Sequence, residues 1–119
     1  MKILIATIPH SDQRYPTVGD WFVSEDTLHI RVSGLPDIRH MQLIAVHELI
    51  EAILCMHREI TQEQIDEWDF NWTGSSEPGD SPLAPYYLEH TFATSIERLL
   101  AEALGCDWRL YSEAIDSLP

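Results

Sequence analysis

The sequence predicts an α+β fold in which two or three short strands precede a mostly helical domain. The segments with strand-like apolar patterns all lie within the first 33 residues. Beyond them the apolar residues recur at helical spacing, and one helix is apolar around most of its circumference, which is typical of a helix buried at the centre of a domain. The length of 119 residues indicates a single domain spanning residues 1–119.

The strands are predicted from short apolar runs that end at turn residues. Lys2–Ile8 is such a run and Pro9 ends it, whereas Trp21–Val23 is the optional second strand. Leu28–Ser33 gives the clearest pattern, because apolar and polar residues alternate along it. Alternation places Leu28, Ile30 and Val32 on one face of a sheet and His29 and Arg31 on the other.

The central helix is predicted over Ile38–His57, with Asp37 as its N-cap. Its middle is apolar on nearly every side, and only His47, Glu48 and Glu51 interrupt that character. A helix with this composition is expected to lie buried in the domain.

Three further helices follow. Thr61 and Gln64 match a capping box that opens an amphipathic helix through Ile65 and Trp68, extending as far as Trp72. After the loop Thr73–Pro85, a second long helix runs from Tyr86 to about Leu104, with Gly105 at its C′ position, and Asp107 caps a final short helix. The apolar face of the second long helix is predicted to comprise Leu88, Phe92, Ile96, Leu99, Leu100 and Ala103.

The central helix carries a pattern that points to metal chemistry. His47 and Glu51 are four residues apart, so their side chains share a helix face. This is the spacing at which HExxH helices present two zinc ligands, with the intervening Glu as general base. A carboxylate at the second position also binds zinc. Unpaired charges inside so apolar a helix are costly, and a divalent cation, zinc being the expected one, would compensate them.

The second long helix offers the missing ligand. His90, Thr94 and Glu97 lie along one stripe of it. If His90 faces the central helix, then His47, Glu51 and His90 form a His₂Glu zinc set with a fourth position left for water. Glu48 is then the catalytic base, and Glu97 is a carboxylate that orients an imidazole or an alternative third ligand.

Two resemblances accompany this pattern. The order of strand, turn and central helix with a His-Glu pair resembles the active-site core of zincin metallopeptidases, with the second His replaced by Glu51. Three segments resemble a family of small bacteriophage and prophage proteins that has no established activity: LHIRVS at 28–33, VHELIEAILC at 46–55, and the run from Glu89 to Trp108. The resemblances imply a zincin-like metal-binding domain, a metal-dependent hydrolase of peptide or amide bonds if it is an enzyme, in the cytoplasm of an infected or lysogenic bacterium.

Other interpretations of the same residues stay open. The polar residues of the central helix can form a buried network without metal, in which His47 bonds to Glu97. A di-metal carboxylate site would use Glu48, Glu51, Glu89 and Glu97. Asp80, in the loop, is expected to be a solvated turn residue rather than part of the site.

The net charge of the chain mainly excludes certain classes of binding partner. The chain has 20 acidic against 7 basic residues, a formal charge of −13, which disfavours nucleic-acid backbones and anionic membranes. It suits the alternative function, a non-catalytic acidic phage or prophage protein that binds a basic protein or peptide partner. Two isolated cysteines form no disulfide framework, and the N-terminal apolar run is too short for a signal peptide, so a cytoplasmic location is expected.

Overall fold

A computed structural model describes all residues, 1–119, and has the predicted α+β architecture. A three-stranded sheet at the N-terminus packs on four helices. No helix combines the length and the apolar character that a membrane crossing requires. The strands are β1 (Lys2–Ile8), β2 (Gly19–Ser24) and β3 (Thr27–Ser33), and the helices are α1 (Ile38–His57), α2 (Gln62–Phe70), α3 (Tyr87–Ala103) and α4 (Trp108–Asp116).

The strand β3 lies at the centre of the sheet, parallel to β1 and antiparallel to β2. The predicted alternation is confirmed, since Leu28, Ile30 and Val32 are at most 2% exposed. On the opposite face of the sheet His29 stacks on Phe22, with ring centroids 4.8 Å apart. The sheet therefore presents one apolar face to the helical layer.

The helix α1 has the predicted bounds, and the side chain of Asp37 caps it by accepting a hydrogen bond from the Arg39 amide. Two apolar clusters lie along this helix. Leu43 belongs to one that includes the α4 residue Tyr111, and Cys55 belongs to the other, which includes Ile30 of the sheet. The polar residues at 47–51 lie between the two clusters, so apolar packing on either side fixes the turn that carries them.

The predicted capping box at Thr61 and Gln64 is present, but α2 ends at Phe70. The predicted extension to Trp72 is wrong, because the Trp72 indole instead donates to the Ser76 carbonyl and closes the following loop. Gly105 ends α3 with a φ of +68° and Asp107 caps α4, as predicted.

Most of the predicted apolar face of α3 is wrong, although Leu100 packs against the cluster that contains Leu43. Leu88, Phe92 and Leu99 are 69%, 51% and 63% exposed. The helix instead turns a narrow face of small and ionisable residues towards α1. Small side chains let the two helices approach closely, and the ionisable groups find partners across the interface. The buried residues of α3 are Glu89, His90, Ala93, Glu97 and Ala101.

A buried carboxylate joins three parts of the chain. Asp69 of α2 is 9% exposed and accepts hydrogen bonds from the hydroxyls of Tyr15 and Tyr86. Burial raises the pKa of Asp69 to about 6, although the two hydroxyls lower it. The Asp69 carboxyl group is therefore harder to ionise in the folded protein than in the unfolded chain.

The substitution Asp69→Asn tests this effect. An unfolded Asp titrates near pH 3.9, so wild-type unfolding releases a proton between about pH 4 and pH 6, and stability from this group falls as pH rises through that window. The difference between the unfolding free energies of the wild type and the variant should fall by about 2 kcal/mol between pH 4 and pH 7. Urea unfolding at several pH values measures it, and a constant difference would contradict the assignment.

Candidate metal centre

His47 and Glu51, one turn apart on α1, face His90 of α3 in the interior of the protein. Each of the three residues is at most 6% exposed. His47 Nε2 lies 3.2 Å from Glu51 Oε2 and 3.2 Å from His90 Nδ1, and His90 Nδ1 lies 2.9 Å from Glu51 Oε2. Three side-chain atoms from two helices thus form a triangle with nearly equal edges. These residues could hold a metal ion.

The remaining polar atom of each of these side chains is held by a different element. The Trp21 indole of β2 donates to Glu51 Oε1 over 3.2 Å. His47 Nδ1 lies 2.7 Å from Glu97 Oε1, and Glu97 follows His90 by about two turns of α3. His90 Nε2 lies 2.9 Å from Asp80 Oδ1 and 3.3 Å from Glu77 Oε2. The orientation of all three side chains is therefore determined from outside the triangle.

These outer contacts determine where the protons lie. An ionised carboxylate only accepts hydrogen bonds, so His47 Nδ1 and His90 Nε2 both donate. With each imidazole neutral, His47 Nε2 and His90 Nδ1 then carry lone pairs, and both point at Glu51 Oε2, which carries lone pairs as well. Three acceptors facing one another without a donor repel, and a cation between them relieves that repulsion.

In the absence of a metal, protons supply the positive charge. Burial lowers the pKa of His90, but the nearby carboxylates of Glu51 and Glu77 have the larger effect and raise it to about 10. The pKa of His47 is likewise raised, because Glu51 and Glu97 outweigh burial. Burial raises the pKa of Glu51, yet its two imidazole partners bring it down to about 2. The carboxylates therefore favour the protonated form of both imidazoles.

Glu97 lies on the other side of the His47 ring from Glu51 and His90. Its Oε1 contacts Nδ1, whereas the triangle uses Nε2, and its Oε2 accepts the Tyr111 hydroxyl of α4 over 2.5 Å. Glu97 thus occupies the position of a carboxylate that orients His47. The structure does not bring it into the triangle as the alternative third ligand.

Glu48 lies beside the triangle, between α1 and β2. A methyl group on Gly19 would fall 2.7 Å from its Oε1, so the absence of a side chain at Gly19 makes room for this carboxylate. Burial and the charge of Glu51 raise the pKa of Glu48 well above its usual range, although His47 opposes the shift. Glu48 lines the same open cleft, of about 900 Å³, as His47, Glu51 and His90.

No protein-family model, curated protein or solved structure matches this chain.

Several contributors to the site were not expected from the sequence. Asp80, expected to be a solvated turn residue, contacts His90 while its side chain stays half exposed. Trp21 was predicted only as part of the optional second strand, and nothing in its sequence context singles out its bond to Glu51. The alternative di-metal site required Glu89 together with Glu48, Glu51 and Glu97. Glu89 pairs with Arg58 over 2.8 Å, so the structure does not assemble that site.

Gly79 allows the loop to approach the site. It lies in a short 3₁₀ turn, Pro78–Asp80, that packs on His90. A methyl group at Gly79 would fall 2.5 Å from His90 Cγ and 2.8 Å from Tyr86 Cε2. Both neighbours are buried rings, so neither can move away cheaply.

The substitution Gly79→Ala should therefore destabilise the fold by about 1–3 kcal/mol, the usual range for overpacking. Gly34→Ala is the matched control, because a methyl group there would meet only the Ile8 carbonyl, at 3.8 Å. Urea unfolding compares the two variants. Equal stability of the two would show that the turn does not press on His90.

Proposed function

We propose that this protein is a zincin-like zinc-binding domain and a metal-dependent hydrolase of peptide or amide bonds. His47, Glu51 and His90 would hold the zinc, and Glu48 would be the general base. The observation that carries the proposal is that one atom each of His47, Glu51 and His90 converges on the same point. The other polar atom of each side chain contacts a residue outside the triangle. A purely structural network has no need to aim three potential ligands at one point.

The dimensions of the triangle support zinc. Tetrahedral zinc with bonds of about 2.0–2.1 Å has ligand atoms about 3.3 Å apart. The edges here are 2.9, 3.2 and 3.2 Å, so a small shift of each side chain would accommodate the ion. Two imidazoles and one carboxylate are also the donor set of known catalytic zinc sites, which leave the fourth position open.

The roles of the protein groups follow from their positions. When bound, zinc would supply a Lewis acid that polarises a substrate carbonyl and makes water more acidic. The Glu48 carboxylate would take the proton of the attacking water and pass it to the leaving amine. Because its pKa is raised, the Glu48 carboxylate is a stronger base than a solvent-exposed glutamate.

The charge of the cleft favours a cationic substrate. Four carboxylates around the imidazoles, those of Glu48, Glu77, Asp80 and Glu97, line the cleft in addition to Glu51. One bound divalent ion would leave this region negative. Lysine-rich or arginine-rich peptides are therefore the substrate class with which to begin.

Metal binding is the first test. Titration calorimetry of chelator-treated protein should give one zinc per chain, and His47→Ala should weaken binding by more than about 100-fold, because losing a ligand costs more than losing an outer partner. His57→Ala is the matched control, since His57 ends the same helix at an exposed position. Absent zinc binding, or equal binding by both variants, would overturn the metal site.

Catalysis is the second test. Glu48→Gln should keep the zinc stoichiometry of the wild type and lose hydrolysis of lysine-rich peptides by about 10²–10⁴-fold. Glu102→Gln, at an exposed position of α3, controls for the lost charge. Mass spectrometry of the digested peptides provides the readout. A salt-dependent complex with basic peptides that forms without cleavage, and survives both Glu48→Gln and chelation, would instead support the non-catalytic partner-binding function.

A further inference from the structure

We infer that Asp80 is a positioning residue, which holds the His90 ring so that Nδ1, rather than the ring carbon Cδ2, faces Glu51 and His47. This inference rests on the proposed zinc site. The contact that carries it is the 2.9 Å distance between His90 Nε2 and Asp80 Oδ1. A proton on Nε2 leaves the lone pair of a neutral imidazole on Nδ1, the atom 2.9 Å from Glu51 Oε2.

The turn that carries Asp80 is itself fixed on both sides. The Trp68 indole of α2 donates to the Pro78 carbonyl over 2.9 Å. The Asp80 amide donates to the Glu77 carbonyl over 3.0 Å and closes the turn. Gly79 lies directly against the His90 ring. The carboxylate of Asp80 is thus presented to His90 by backbone that α2 anchors, which is what a positioning role requires.

The position of His90 in the helix explains why it needs this support. His47 and Glu51 lie on one face of α1 and orient each other. His90 comes from α3, and no other residue of α3 belongs to the triangle. A half-turn of the ring about the Cβ–Cγ bond would put Cδ2, a carbon that binds no metal, in the place of Nδ1, and Cε1 in the place of Nε2. A carboxylate on the far nitrogen makes one of the two orientations the better one, and it raises the basicity of the nitrogen that faces the metal.

Asp80 is the nearer of two carboxylates at His90 Nε2. Glu77 Oε2 lies at 3.3 Å, beyond the range of a strong charge-assisted bond. The side chains of Asp80 and Glu77 are 50% and 53% exposed. Either residue can therefore be replaced without opening a cavity in the core, and the two substitutions can be compared directly.

The experiment uses the full chain, with zinc alone as the probe. Asp80→Ala should weaken zinc binding by about 10- to 100-fold, the usual effect of removing a carboxylate behind a ligating imidazole. Asp80→Asn keeps an acceptor but loses the charge, and should fall between the wild type and Asp80→Ala. Glu67→Ala removes one exposed acidic side chain from α2 and should bind zinc as the wild type does. Calorimetry gives the affinities and stoichiometry.

A spectroscopic readout separates positioning from general destabilisation. Nitrogen-15 shifts of the His90 ring report which nitrogen is protonated in the zinc-loaded protein. They should show a protonated Nε2 in the wild type, and a loss of that preference or of zinc coordination in Asp80→Ala. Unfolding of the metal-free variants should match that of Glu67→Ala, because Asp80 is half exposed.

Each remaining outcome decides against the inference. Unchanged zinc affinity in Asp80→Ala would overturn it, as would a loss seen only in Glu77→Ala. Two zinc ions per wild-type chain, falling to one in Asp80→Ala, would make Asp80 a ligand of a second metal that shares His90. Failure of the wild type to bind zinc is a different result, because it would refute the proposed function itself.

Discussion

The structure depends on the placement of buried carboxylates against buried imidazoles at the interface of α1 and α3. Glu51 and Glu97 are at most 7% exposed, and they contact opposite sides of the His47 ring. A buried charge without a partner costs several kcal/mol, so the two helices must dock in the one register that pairs these groups. That requirement outweighs the burial of Leu88, Phe92 and Leu99, each of which contributes at most about 3 kcal/mol. These three apolar side chains of α3 therefore face outwards.

The same interface draws contributions from every layer of the fold. The sheet supplies the Trp21 indole to Glu51, α4 supplies the Tyr111 hydroxyl to Glu97, and the turn before α3 supplies Asp80 to His90. Each of these groups contacts an outer atom of the site. Because the apolar clusters lie on either side of residues 47–51, packing errors in either cluster would displace the polar group. Elements that are far apart in the sequence are thus coupled through one small network of hydrogen bonds.

Local sequence signals account for most of the fold. Caps at Asp37, Thr61 and Asp107 and the alternation of β3 depend on residues close together in the chain, and these predictions are confirmed. The orientation of α3 could not be predicted in this way, because the rule that apolar faces are buried holds only where no buried charge needs a partner. Within the site, the spacing of His47 and Glu51 is a local signal. The contacts of Trp21 and Asp80 are set by tertiary packing, so no spacing in the sequence indicates them.

The geometry of the triangle also explains how such a site can be preorganised. Two imidazolium protons and one divalent cation bring the same positive charge to the carboxylates. A hydrogen-bonded contact of about 2.9 Å and the separation of two zinc ligands, about 3.3 Å, differ by only a few tenths of an ångström. Exchanging protons for metal therefore requires neither a new fold nor a change in the charge that the interface must hold. The cost of exchange is the removal of those protons, so the proposed metal ion would compete with protons for one fixed triangle of atoms.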